Sequence, residues 1–227
     1  MNRLFSIVIL FFGLTSLNAQ IHEIGGFVGG SNFIGDIGKT DYVAPNELAF
    51  GILYKWNKSP RHAWRISLTQ ARITGNDKDS KVPARIKRGY DFENEIREVS
   101  AGLEFNFFNF NLHDFGSKFT PYVYTGLSYI SYDGLFFLDK KPKIDNTRHS
   151  LSIPITVGVK TRIMDHLILG FESSAKFTFK DDLDGSNSSN DNLEPLKFGN
   201  INSKDWYVFT GFTLTYTYGN KPCYCRD

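Results

Sequence analysis

Apolar and polar residues alternate along much of the chain, which is the period-2 pattern of β-strands. The clearest stretch is Trp206–Tyr218, where Phe212 and Leu214 share one face and threonines line the other. Aromatic residues stand at both ends of the apolar face, and aliphatic residues stand nearer its middle. This arrangement is typical of a strand that crosses lipid between two girdles of aromatic side chains.

Eight such stretches are separated by connections whose lengths alternate along the chain. The short or middling connections are 58–61, 109–118 and 164–166. The long, polar connections are 32–46, 74–92, 133–148 and 180–204. Short turns at one end and long loops at the other are typical of bacterial outer-membrane barrels. The sequence therefore predicts an all-β fold, an eight-stranded antiparallel transmembrane β-barrel over 20–219 with both termini in the periplasm.

A soluble eight-stranded barrel of the lipocalin type is the alternative interpretation of the same strands. That fold needs its apolar face inside, whereas the faces carrying Gly, Ser, Thr and charges here suit a narrow, filled interior. The first strand, about 21–31, is rich in glycine, and its facing stays open. Because side chains fill the interior of an eight-stranded barrel, we do not expect porin-like conduction.

Charged residues of the strands fall on the faces that we assign to the interior. A Lys at the bilayer midplane of the lipid face would cost about 2–4 kcal/mol, which favours this assignment. If the strands flanking 164–166 pair, Lys160 stands opposite Gly170 and has Glu172 as a diagonal neighbour. The predicted lumenal network of charges consists of Lys55, Arg65, Glu104, Lys160, Arg162, Glu172 and Lys176.

The two ends of the chain carry separate signals. Residues 1–19 predict a secretory signal peptide, since Arg3 precedes an apolar stretch and Ala19 supplies a small residue at the cleavage position. The tail 220–227 contains the two cysteines, Cys223 and Cys225. They could pair with each other, bridge to a partner, or have no role.

Composition narrows the possible functions. Lys and Arg total 26 and Asp and Glu total 24, so the chain lacks the basic excess of nucleic-acid binders. Two cysteines are too few for a disulfide scaffold or an all-cysteine zinc site. We expect no nucleic acid, metal or other cofactor.

Three segments are candidates for chemistry. The charge-dense loop 74–92 could contact lipopolysaccharide or a partner, but a solvated loop of mixed sign is favoured. The segment 181–187 has carboxylates near calcium-loop spacing but lacks the regular ligands and terminal Glu, so plain acidic disorder is predicted. His149 and Ser150 are adjacent in a strand and point to opposite faces, so we expect no lipid-modifying or other enzyme.

Several stretches in order resemble the PorG family, the small outer-membrane barrel of the type IX secretion system. The similarity runs over essentially the whole mature chain. The stretches that carry it are 23–38, 54–61, 84–85, 88–90, 98–107, 119–126 and 221–225, the last reading Lys-Pro-Cys-Tyr-Cys.

The resemblance implies a non-enzymatic role in protein secretion, which supports adhesin delivery in gliding bacteria. It implies as partners a PorK-like lipoprotein and PorN-like periplasmic ring proteins, besides outer-membrane lipid. Ring partners are periplasmic, so we place the contact on the short turns and the tail. The expected contact residues are Lys58, Pro60, Arg61, His62, His113, Cys223 and Cys225. The alternative is a generic small outer-membrane barrel that binds envelope or extracellular ligands through its long loops.

Overall fold

The computed structural model describes residues 21–112, 118–188, 190–200 and 203–219. Eight antiparallel strands close into a barrel, and the first strand pairs with the last, which confirms the predicted fold class. The strands are β1 (Ile21–Ile34), β2 (Glu47–Asn57), β3 (His62–Asn76), β4 (Asp91–Asn106), β5 (Phe119–Leu138), β6 (Lys141–Met164), β7 (Leu167–Thr178) and β8 (Trp206–Tyr218). Helices in these ranges are all too short or too polar to cross a membrane.

The outward wall of the barrel is apolar and its interior is polar. Ile66 and Val157 are 50% and 57% exposed on the wall, while charged and hydroxyl side chains fill the inward positions. On β1, Glu23 is buried and Ile24 and Val28 are exposed, which settles the facing of this strand. The lipocalin-type alternative is therefore wrong, because that barrel would need the opposite facing.

The structure contradicts the long loop predicted at 133–148. β5 and β6 continue as a hairpin, in which Leu138 pairs with Lys141 around the two-residue turn Asp139–Lys140. Both turn residues have positive φ, 51° and 64°, as in the type I′ turn that usually contains Asn-Gly. Without a glycine, the turn left no clear signal in the sequence.

A β-bulge re-aims the outer part of this hairpin. The β5–β6 register shifts at Gly134 and Leu135, and bulges sharpen strand twist. Beyond the bulge Leu135 and Phe137 are buried, whereas residues 138–144 are exposed. We call the exposed residues 138–144 the hairpin tip.

The other three long connections fold over the same end of the barrel. The first loop is 35–46. The second loop, 77–90, contains a 3₁₀ turn (Asp77–Asp79) and the short helix α1 (Pro83–Arg88), which ends at Gly89 with φ 70°. The fourth connection, 179–205, includes a 3₁₀ turn at Asp191–Leu196.

A hydrophobic plug closes the loop-bearing half of the lumen. Leu183 of the fourth connection is fully buried in it, beside inward-facing side chains of the strands. Tyr90 of the second loop, Phe137 of the β5–β6 hairpin and Phe198 of the fourth connection pack against one another with ring centroids 4.5–5.4 Å apart. The plug therefore joins the connections to the barrel core and closes the lumen at that end.

Candidate functional site

The predicted lumenal network is present, and Glu104 lies at its centre. Glu104 is fully buried and accepts hydrogen bonds from Lys55 Nζ at 3.0 Å and from Lys160 Nζ at 2.6 Å. Arg65 lies 3.8 Å from the same carboxylate. Lys160 stands opposite Gly170, as predicted, but its acidic partner is Glu104 rather than Glu172.

Glu172 instead binds Arg65. The two guanidinium nitrogens Nη1 and Nη2 each donate to one carboxylate oxygen at 2.7 Å, the bidentate geometry that Arg favours. Tyr122 Oη donates to Glu172 at 2.5 Å, which gives this carboxylate a third donor. β3, β5 and β7 are thus connected across the lumen.

The remaining predicted network residues lie on either side of this centre. Lys176 donates to Glu98 at 2.7 Å, and Tyr207 donates to the same carboxylate at 2.5 Å. Arg162 is also buried in the lumen, at 8% exposure. At the short-turn end, Glu23 accepts from Asn57 and from Thr215, each at 2.9 Å.

The predicted lumenal network omits Glu23, Glu98, Tyr122 and Tyr207, which the structure places in it. Glu23 and Glu98 supply the second pair of carboxylates, and Tyr122 and Tyr207 supply hydroxyl donors. Glu98 alternates in phase with Glu104 along β4, so its parity was a usable signal. Tyr207 shares the Thr-bearing face of β8 and had the same signal, whereas Tyr122 lies in β5, whose poorer alternation left its facing unassigned.

The lumen is filled rather than open. A cavity between Arg65 and Lys176 measures about 20 Å³, which is room for a single water. Opposite charges face each other across it, and the hydrophobic plug lies above it. In the described part of the barrel, side chains therefore fill the lumen and leave no pore.

Asp77, Arg88 and Asp184 join three of the long connections, and Asp77 links the second connection to the first. Asp77 is fully buried and accepts hydrogen bonds from Arg88 Nε at 2.7 Å and from the backbone N–H groups of Gly38 and Tyr90. Arg88 also donates to the carbonyl of Asp36, whose own N–H donates to Asp184 at 3.1 Å. We call this joined assembly of 35–46, 77–90 and 179–205 the extracellular cap.

The electrostatics of Asp77 match this role. Burial acts to raise the pKa of its carboxyl, but hydrogen bonds from Arg88 and from two backbone N–H groups outweigh burial and lower it. Burial acts to lower the pKa of the Arg88 guanidinium, but the hydrogen bond and the charge of Asp77 outweigh burial and raise it. The solvated loop predicted at 74–92 is therefore only partly right: Lys78, Lys81 and Lys87 are exposed, but Asp77 is a buried anchor.

Acidic disorder at 181–187 is wrong. Asp181, Asp182 and Asp184 are buried, and Asp205 Oδ2 accepts the N–H of Leu183 at 2.9 Å. Burial and neighbouring carboxylates raise the pKa of Asp184 and of Asp205, and they raise that of Asp181 to about 7. Across the described ranges, no three His, Cys, Asp or Glu side chains are placed to hold a metal ion.

The expected contact residues lie at the opposite end of the barrel. Lys58, Arg61 and His62 are exposed, and Pro60 is half-buried in the turn between β2 and β3. Arg61 Nε donates to Asn109 at 2.7 Å, which connects this turn to the next one. Of the other expected contacts, His113, Cys223 and Cys225 lie outside the described residues, as do the predicted signal peptide 1–19 and the segment 220–227.

His149 and Ser150 are arranged as the strand pattern predicts. His149 is exposed and stacks on Tyr129 with centroids 5.4 Å apart, whereas Ser150 is buried and donates to the carbonyl of Leu151. The two side chains point to opposite faces of β6, so they do not form a nucleophile–base pair.

A closed eight-stranded barrel with an apolar wall and a polar, filled lumen defines a small bacterial outer-membrane β-barrel protein. The chain belongs to the family described as Domain of unknown function (DUF6089), which matches residues 2–227. No curated protein matches its sequence.

Solved structures of outer-membrane proteins are similar to this chain. Ail of Yersinia pestis, in complex with the heparin analogue sucrose octasulfate, has 12% identity and a TM-score of 0.47, covering 88% of this chain and 99% of its own. OprG of Pseudomonas aeruginosa has 10% identity and a TM-score of 0.45, covering 89% and 97%. A major outer-membrane protein of Thermus thermophilus has 10% identity and a TM-score of 0.44, covering 88% and 100%.

Proposed function

We propose that this barrel is a non-enzymatic outer-membrane component of the type IX protein secretion system. In this role it anchors or assembles the periplasmic ring of PorK-like and PorN-like proteins, including in gliding-associated secretion. The observation that carries the proposal is the filled lumen, with Glu104 and Glu172 paired to buried cations. A barrel without a passage acts through its surfaces, and the resemblance to the PorG family selects the periplasmic one.

The periplasmic turns suit such a contact. Pro60 O accepts hydrogen bonds from Asn106 Nδ2 and from the N–H of Phe110, each at 3.1 Å, so two neighbouring turns form one platform. Lys58 and Arg61 project from this platform and are exposed. An acidic surface on a ring protein would complement these cations and pay little to order the turns.

Charge reversal at the turn tests the proposal. We expect Lys58→Glu together with Arg61→Glu to lower the recovery of PorK-like and PorN-like proteins with the barrel from native outer membranes at least about tenfold. The matched control is Lys39→Glu with Lys87→Glu, which reverses two exposed charges on the extracellular side and should leave recovery unchanged.

Purification without reductant adds a second readout. Cys223→Ser and Cys225→Ser should remove any covalent band if the tail bridges to a partner. An intact ring that never co-purifies with the folded wild-type barrel would contradict the anchor. Ring recovery that falls only in the extracellular control would also contradict it.

One observation favours a second function, ligand binding through the loops. Asp77, Arg88 and Asp184 bind backbone groups of the first loop and so hold the extracellular cap together, and its surface is ordered before any ligand arrives. Substitutions on that surface would then impair ligand binding and spare the ring.

A further inference from the structure

The hairpin tip concentrates positive charge on an exposed surface. Lys140, Lys141 and Lys143 are all exposed, and none makes an ion pair with another residue in the described part of the chain. Lys141 and Lys143 are two residues apart on β6, so their side chains share one face at a spacing of about 7 Å. Like charges this close repel each other unless an anion lies between them.

The neighbours of these lysines do not neutralise them. Lys141 pairs with Leu138 and Lys143 pairs with Phe136 across the hairpin, where an acidic residue would have been the stabilising choice. Asp145 is occupied by Arg148 at 3.0 Å. Two other acidic residues are near: Asp139 lies in the turn, and Glu194 lies in the 3₁₀ turn beside β5. Neither forms an ion pair with the three lysines in the described part of the chain. The tip keeps an excess of cations next to exposed Leu138, which shares their face.

The turn itself departs from the sequence that would fold best. Lys140 occupies a left-handed position with φ 64°, where glycine is favoured and a lysine side chain is strained. A side chain on a strained backbone position is a reason to test that side chain for a function. The conformation of Lys140 is thus a second reason, independent of charge, to expect a function for the hairpin tip.

The height of the hairpin tip above the membrane distinguishes lipid headgroups from anions that lie further out. Tyr129 is the last exposed aromatic residue of β5, since the later Phe136 is half-buried, and Asp139 lies ten positions further along the chain. At about 3.3 Å per residue and a tilt near 45°, the turn rises on the order of 20 Å above the aromatic girdle. Lipid headgroups extend only about 5–8 Å beyond the hydrocarbon region, so the lysines project past them.

We propose that the hairpin tip binds an acidic polysaccharide of the cell-surface layer. A linear polyanion carries repeated charges and can contact three lysines on an open ridge without a preformed pocket. The exposed methyl groups of Leu138, which pairs with Lys141 on the same face, then lie beside the sugar rings. This surface is on the opposite side of the membrane from the proposed ring contact, so either proposal can fail without the other.

The test uses the full mature chain folded in detergent, with dextran sulfate as the probe and neutral dextran as the reference. We expect binding to dextran sulfate that weakens with salt, and no binding to dextran. Lys140→Gln, Lys141→Gln and Lys143→Gln together should weaken it about tenfold or more. The control triple Lys39→Gln, Lys78→Gln and Lys87→Gln removes the same charge from the cap and should change binding less than about threefold.

Lys140→Gly separates binding from folding. Glycine relieves the left-handed turn, so the heat-resistant folded band should be at least as stable, while affinity for dextran sulfate falls severalfold. Equal binding by wild type and the triple variant would overturn the proposal, as would equal losses in the control triple. Binding to anionic phosphatidylglycerol vesicles but not to dextran sulfate would assign the tip to lipid headgroups instead.

Discussion

Glu104→Gln should destabilise the barrel by about 3–5 kcal/mol, because it leaves buried cations without their counter-charge. Lys55 and Lys160 both donate to Glu104, and Arg65 lies 3.8 Å away. The three cations come from β2, β3 and β6, so the carboxylate holds distant parts of the wall against one centre. Urea unfolding in phospholipid vesicles, followed by tryptophan fluorescence, measures the change in free energy.

Two further variants show whether charge or packing is responsible. Glu95→Gln removes a carboxylate that is exposed and paired with Arg97, so its effect should stay within about 0.5 kcal/mol. Adding Lys160→Met to Glu104→Gln removes one of the stranded cations and should recover part of the loss. A Glu104→Gln effect no larger than that of Glu95→Gln would contradict a central role for this carboxylate.

The strand pattern was predictable because it is local and repeats every two residues. β8 spans the predicted Trp206–Tyr218, and Lys160 stands opposite Gly170 as the pairing across the 164–166 turn required. All seven predicted lumenal charges are buried. The alternation of apolar and polar residues determines which face of each strand points inward. That assignment alone was enough to place the charged side chains in the lumen.

Contacts between distant segments could not be predicted in the same way. The acidic stretch 181–187 contains one aliphatic residue, Leu183, so its composition indicated disorder. Its burial depends on contacts with other connections, such as the hydrogen bond that the N–H of Asp36 in the first loop donates to Asp184. The choice of Glu104 over Glu172 as partner of Lys160 likewise depends on barrel closure, which brings β4 across from β6.

The hairpin at 133–148 shows a different limit. Four consecutive apolar residues, 135–138, interrupt the alternation, and the turn Asp139–Lys140 lacks glycine. Because turns with positive φ are recognised in a sequence by Gly and Asn, neither feature indicated a two-residue turn here. The unusual turn residue is also the one that the proposed polysaccharide contact uses.

Attachment of the fourth connection to the other two connections of the extracellular cap should weaken as the pH rises from about 4 to about 7. The pKa of Asp181 is raised by burial from 3.8 to about 7, and burial and neighbouring carboxylates also raise the pKa of Asp184 and Asp205. Asp36 adds repulsion to Asp181, while Lys204 offsets part of it. The released loop would give up protons that the attached loop retains, so attachment is strongest below pH 3.8 and is lost through pH 7.

The amide of Leu183 reports this change, because it donates to Asp205 Oδ2 at 2.9 Å. Its exchange protection, corrected for the intrinsic pH dependence of exchange, should fall at least about tenfold between pH 5 and pH 8, while amides of β4 stay protected. Asp205→Asn keeps an oxygen acceptor for this N–H but cannot ionise, so it should flatten the profile and raise protection at pH 8. Protection that is constant or increases with pH in the wild type would show that these carboxylates are not protonated when the loop is attached. Since Asp184 also binds the N–H of Asp36, loss of attachment would loosen the first loop as well, so the cap should respond to pH as one unit.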